Sequence, residues 1–361
     1  MAEPSGRRRR VAWVAPGDGA DHITALPLDL RARIAASLPF PQVARLATLS
    51  RPWRHIHRHA PVVEIDLDEW RSAAGVLNED ALAGLEVALT RRGQAGSGSK
   101  VDTLRITFRV DNHRMRLHAG LIVALAGARR TCVFIAGLSH SPLDAWSLDL
   151  SPAARYLVVS SEHYQPPAPT LAGPGAAALQ TLCLHNVVLN ESIMELSRVD
   201  IRLPLLRRLE MDDAYFNPGA DIAVDAPELE ELDVGCEAGA APAYRSFTLR
   251  APRLRCLAWS ELFAERVSVD VGRPGGVASG RIRFTWSPGF EECPEMKDFR
   301  GHTMRMLQGI LPDLPPECVA DAARAYLSLI KCTVEDPDTG KPLPGEKLTC
   351  DLSGLITSLK A

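Results

Sequence analysis

The sequence predicts an α/β protein in which a small three-helix module precedes an irregular repeat solenoid with a parallel sheet, closed by a helical C-terminal cap. Three observations predict it. Apolar residues recur at helical spacing within residues 22–60, strand-like apolar couplets recur through 61–290 at intervals of 23–29 residues, and helical periodicity returns within 291–361. Residues 1–21 carry the run Arg7–Arg10 among Gly, Pro and Ala and are expected to form a disordered basic tail.

In the module, Leu26-Pro27 opens the first helix, and Leu30, Ile34 and Leu38 stack on one face at i, i+4 and i+8. Pro39 and Pro41 end that helix, because proline lacks an N–H and disfavours α geometry in the residue before it. Val43, Leu46 and Leu49 mark a second helix. Ser50 can cap a third, with Pro52 near its start and Trp53 just after. Three helices of about ten residues each cannot bury so many apolar side chains among themselves. The surplus implies a partner.

The same residues resemble the F-box, the adaptor-binding module of SCF ubiquitin ligases. The pattern is carried by Leu26-Pro27, Leu30, Ile34, Leu38-Pro39, Val43, Leu46, Leu49-Ser50-Arg51 and Trp53-Arg54, with departures at Gln42 and Pro52. The resemblance implies a non-catalytic subunit that docks on a Skp-type adaptor, and through it on a cullin. Its anchors would be Leu26, Pro27, Leu30, Ile34, Leu38, Pro39, Val43, Leu46, Leu49 and Trp53.

Beyond residue 60 the couplets are Leu104/Ile106, Val133/Ile135, Leu157/Val159, Leu182/Leu184, Leu209/Met211, Leu232/Val234 and Leu257/Trp259. A strand with two inward apolar residues cannot bury them alone, whereas stacked parallel neighbours share one continuous core. Leu179, Leu206, Leu229 and Leu254 complete an LxxLxL phrase, and DAPELEELDV and RAPRLRCLAW repeat a wording twenty-five residues apart. This phrasing is similar to the plant F-box/leucine-rich-repeat class. Asn186, Asp213, Cys236 and Glu261 fall one residue early for that family's asparagine ladder, so the expected solenoid is irregular.

Between the couplets, Glu79–Arg92 reads as a helix with Leu82, Leu85 and Leu89 on one side, and Gly93–Lys100 as a flexible loop. Tyr164–Ala178 reads as a Pro/Gly-rich excursion that forms no packed element. Asp298–Leu311 and Glu317–Lys331 read as a helix pair capping the open end of the stack, followed by a turn-rich tail. In such a stack, residues flanking each couplet point outward on the concave side. Arg208, Glu210, Asp212, Glu231 and Asp233 therefore form an acidic surface expected to favour a basic segment of a protein substrate.

Composition narrows the function. The chain is 46% hydrophobic and 24% charged, ordinary for a globular protein. Residues 1–60 hold ten Lys/Arg against four Asp/Glu and the rest 31 against 40, which with 6% aromatic residues argues against a nucleic-acid binder. No two of the eight cysteines lie within four residues, so zinc-knuckle and redox spacings are missing and a reduced intracellular protein is expected. His55-x-His57-x-His59 is the most metal-like cluster but lacks a third ligand. No GxSxG, HExxH, P-loop or GxGxxG sequence occurs, and neither a cofactor nor a metal is expected. The longest apolar run, Ala119–Ala128, is too short to span a bilayer, and the N-terminus carries no apolar signal core. Nucleus or cytoplasm is the expected location. A repeat scaffold with no role in a ubiquitin ligase is the alternative reading.

Overall fold

The structure is a computed structural model that describes residues 25–38, 42–43, 46, 51–71, 78–94, 101–109, 113–137, 146–162, 166–189, 198–213, 220–236, 244–262, 264–272, 277–286, 299–310, 327–335 and 342–351. The chain divides into two compact units, Met1–Ala60 and Pro61–Ala361.

In the first unit, helix α1 (Leu28–Ala36) starts directly after Pro27, whose φ of −56° and ψ of 153° hold the chain extended until the helix begins. Asp29 sits in the first turn, where its charge complements the helix dipole. Ser37 Oγ donates to the Ile34 carbonyl at 2.8 Å, and the Arg31 guanidinium donates to the Pro52 carbonyl, tying α1 to the segment that follows. Gln42, Val43 and Leu46 are helical, while Pro39 and Leu49 lie outside the described residues. The expected third helix is instead a pair of 3-10 turns, Arg51–Trp53 and Ile56–His59. Pro52 supplies no N–H, and segments this short settle into i→i+3 bonding. Ala35, Val43, Trp53, Ile56 and Ala60 form the buried centre of this unit, with Ala32, Ile34, Leu38 and Leu46 packed against it.

The second unit is a parallel-sheet solenoid. Its principal sheet begins with β1 (Val62–Asp66), β2 (Thr103–Arg109), β3 (Arg130–Ala136), β5 (Tyr156–Ser161) and β7 (Thr181–His185). It continues through β9 (Arg208–Asp212), β11 (Glu231–Gly235), β13 (Cys256–Ser260) and β15 (Ser279–Trp286). Every predicted couplet lies on one of these strands with both members buried, and Val63/Ile65 on β1 adds an earlier one. Alternation drives this: one apolar residue in two faces inward, and the neighbouring strand in register covers it. Leu179, Leu206, Leu229 and Leu254 are buried too, at the turns that lead into β7, β9, β11 and β13. The Leu229 and Leu254 amides close those turns on the Ala226 and Ala251 carbonyls at 3.0 Å.

The opposite wall of the core changes along the chain. Near β2 it is helical, with α2 (Glu79–Gln94) and α3 (His113–Ala126) packed together and burying Leu82, Leu89, Met115, Ala119 and Ile122. Later it is a second parallel sheet of β8 (Arg198–Arg202), β10 (Asp221–Asp225), β12 (Tyr244–Arg250) and β14 (Ala264–Asp270). Ile222, Val224, Phe247, Leu249 and Val269 are buried there, and Phe247 meets Trp259 of β13 edge-to-face at 4.9 Å.

Three expectations are corrected. The Tyr164–Ala178 excursion holds ordered elements: β6 (Thr170–Ala172) pairs with β4 (Ser147–Asp149), and Ala176–Ala178 forms a 3-10 turn. Its glycines make this possible, since a Cβ on Gly173 would lie 2.0 Å from Asp149 Oδ1 and one on Gly175 2.0 Å from the Ser151 carbonyl oxygen. Of the second helix expected at Glu317–Lys331, the described part, Leu327–Lys331, belongs instead to a strand, β16 (Leu327–Glu335), residues 317–326 lying outside the described residues. The tail read as turn-rich contains β17 (Pro342–Asp351). This antiparallel pair joins β15 through β17, so the sheet runs on where a helix pair was expected. The other helix, α4 (Phe299–Ile310), packs against edge strand β14, where a Cβ on Gly309 would lie 2.1 Å from the Val267 carbonyl oxygen.

The predicted ladder positions also acquire a physical role. Asn186, Asp213 and Glu261 adopt left-handed backbone with φ of 53°, 49° and 55° at the ends of their strands. The Asn186 amide donates to the Asp212 carbonyl at 2.9 Å, the Cys236 amide to Ser260 at 3.1 Å and the Glu261 amide to Arg283 at 2.8 Å. Side chains add to this backbone ladder, with Asn186 Nδ2 donating to the Ser161 carbonyl at 3.2 Å and the Arg283 guanidinium meeting Glu261 at 3.3 Å.

Candidate functional site

The candidate surfaces lie one on each unit. On the helical unit, Leu28 and Leu30 are 50% and 39% exposed at the start of α1, beside exposed Pro27 and half-buried Leu26. Two leucines in water on a nine-residue helix leave uncovered apolar area that a partner could bury. Ile34, Leu38 and Leu46 are half-buried and lean on the unit's own core, while Val43 and Trp53 are fully inside it. Among the described anchors and their neighbours, the apolar surface left wholly or partly uncovered is therefore Leu26, Pro27, Leu28 and Leu30. Helical spacing did not single out Leu28. Its signal is its place next to Pro27, off the main stripe.

On the solenoid, β9 and β11 bring Arg208, Glu210, Asp212, Glu231 and Asp233 together on the solvent face, as the alternation predicted. Arg208 stands opposite Glu231, and Glu210 opposite Asp233. The Arg208 guanidinium donates to Glu210 at 2.9 Å and to Glu231 at 3.0 Å, placing a single cation amid four carboxylates on these two strands. Partial burial, then the fields of Glu210 and Asp212, hold the Asp233 carboxyl above its ordinary range. Cys183 on the adjoining strand has its thiol pushed up to about 11, by burial first and then by Glu210. A thiol so disfavoured as thiolate is a packing group. Among the described residues no three His, Cys, Asp or Glu side chains gather to hold a metal ion, and no helix is long and apolar enough to cross a membrane.

The Asp233 shift gives a signed prediction. A carboxyl that holds its proton more tightly in the folded chain costs stability as pH rises through its folded pKa. Asp233→Asn should therefore stabilise the fold at pH 7, by less than about 1 kcal/mol because solvent screens a site only partly buried, and the thermal midpoint should rise accordingly. The gain should vanish near about pH 3, where the carboxyl is protonated in both states. Thermal melts of the two proteins at both pH values check this.

The chain is similar to an FBD-associated F-box protein of Arabidopsis thaliana, with 23% identity over 240 residues, covering 66% of this chain and 54% of that protein. It thus spans about half the length of the curated relative it matches. No family model matches the chain. No solved structure matches it.

Proposed function

We propose that the protein is a substrate-recognition subunit of an SCF-type cullin ubiquitin ligase. The helical unit would dock on the Skp-type adaptor, and the solvent face of the repeat sheet would hold a protein substrate. Catalysis would then come from geometry: a substrate held close to the ubiquitin-charged enzyme gains effective concentration for its lysines. The observation that carries this reading is the pair Leu28 and Leu30, exposed on a unit in which Ala35, Val43, Trp53, Ile56 and Ala60 already close a core of their own. Distant likeness to a plant F-box protein supports the same direction.

Co-expression with a Skp-type adaptor tests it. The wild-type chain should co-purify with the adaptor. Leu30→Ala should cost about 2 kcal/mol of binding, roughly a thirtyfold weaker Kd, while circular dichroism and the melting midpoint stay unchanged because Leu30 lies largely outside the core. A chain that shows no affinity for the adaptor at micromolar concentration would defeat the proposal and leave the repeats as an interaction scaffold.

A further inference from the structure

The solvent face of the principal sheet changes character along its length. On β9 and β11 it is acidic. On β3 and β5 it is apolar, carrying Cys132 and Phe134, then Tyr156 and Val158. Phe134 is 38% exposed although its neighbours Val133 and Ile135 already fill the core on the other side of the strand. In register it stands between Thr107 and Ser160, small residues that leave its ring open to approach. The Arg130 guanidinium covers the Tyr156 ring at 5.1 Å from its centroid, so Phe134 and Val158 hold the more accessible apolar area. Burying more residues on the far side cannot account for a phenylalanine on this one. It marks a place where something apolar sits.

Distance joins the two regions. Neighbouring strands lie about 4.8 Å apart, which puts Asp212, in register with Phe134 through Ser160 and His185, about 14 Å away, and Glu210 and Asp233, two residues off that line, about 16 Å and about 20 Å away. Between them stand Ser160 and Val158 on β5 and His185 on β7, with Cys183 buried beside them, a path that carries no Lys, Arg, Asp or Glu. An extended peptide advances about 3.4 Å per residue, so it covers that path in about four to six residues.

We infer that the face between β3 and β11 binds an extended peptide carrying one large apolar side chain and a Lys or Arg about four to six residues apart. The apolar side chain lies on Phe134 and Val158, and the cation lies among Glu210, Asp212 and Asp233. The acidic end supplies charge complementarity, and the apolar end fixes the register. The raised proton affinity of Asp233, due first to burial and then to Glu210 and Asp212, agrees with this in its second part, since an arriving cation offsets the field of those carboxylates. The inference deepens the proposed function by giving its substrate a chemistry, and only the word substrate rests on that reading.

The test uses the full chain and fluorescent Gly/Ser peptides, each with one Phe and one Lys-Lys pair, at spacings of one to eight residues in both orders. Anisotropy should show tightest binding at a separation of about four to six residues, weakening as salt rises. Phe134→Ser should weaken that peptide about tenfold and abolish the spacing preference. Joint charge reversal at Glu210, Glu231 and Asp233 should weaken it similarly and favour a matching Phe/Glu-Glu peptide instead. Equal affinity at every spacing, no binding, or variants that bind as wild type does would overturn the inference. Adaptor capture is scored on the same preparations. Capture without peptide selectivity sinks this inference alone, and selectivity without capture sinks the ligase reading alone.

Discussion

Replacing Trp259 by alanine should lower the unfolding free energy by about 3–5 kcal/mol, the range for removing a large aromatic side chain from a packed core. Trp259 has no exposed surface and is among the largest fully buried side chains. Its ring meets Phe247 of the second sheet edge-to-face at an interplanar angle of 79°. It therefore links the two walls of the solenoid where β13 faces β12. Its indole N–H also donates to the Leu262 carbonyl at 2.8 Å, anchoring the chain just after β13. Trp259→Ala thus opens a cavity, removes an aromatic pair and strands a buried carbonyl. Trp259→Phe separates these effects: it keeps most of the volume and the ring contact but loses the hydrogen bond, for a cost of about 1–2 kcal/mol. Urea denaturation of both variants checks the ordering. If Trp259→Ala costs under about 1 kcal/mol, the two sheets do not share the tight core that this contact implies.

Much of this core was legible because a strand announces its inward side every second residue. Leu209/Met211 and Leu232/Val234 needed only that rule, and the same rule placed Arg208, Glu210, Asp212, Glu231 and Asp233 on the outside. The second sheet carries the same alternation, in Ile222/Val224 and Phe247/Leu249. A period of 23–29 residues favours one strand per repeat, however, and these were hidden in the intervals. Helix α3 was hidden differently. Its apolar residues crowd into Ala119–Ala128, where a nearly unbroken run blurs any period. Strand β16 was misread because Leu327–Glu335 owes its state to a partner in β17, and pairing across sequence leaves no local trace. The helical unit shows the same limit on function. Spacing reports that Val43, Trp53 and Leu30 are apolar on ordered turns, but not which of them a small core will claim. The geometry separates them: Val43 and Trp53 inside, Leu30 out.

Gly280→Val should detach the C-terminal strands from the array. Gly280 has φ of 151° and stands opposite Leu257, in the slot where other strands place the first leucine of their couplet. A Cβ there would lie 1.9 Å from the Leu257 carbonyl oxygen and 2.8 Å from its carbon. Both are backbone atoms of a paired strand, so nothing nearby can swing aside, and β15 itself has to move. Backbone strain and overpacking each contribute about 1–3 kcal/mol, for a combined cost of about 2–6 kcal/mol. The damage should be local, because a stacked array is stabilised mainly by nearest neighbours. β15 links the parallel strands to β17 and, through it, to β16. Amide hydrogen exchange should therefore accelerate across Ser279–Trp286 and Pro342–Asp351 while β2, β3 and β5 keep their protection. Uniform loss of protection would mean that the whole unit opens as one cooperative block. Unchanged exchange would mean that β15 does not approach β13 this closely, and with it would go the account of how the C-terminal strands are held.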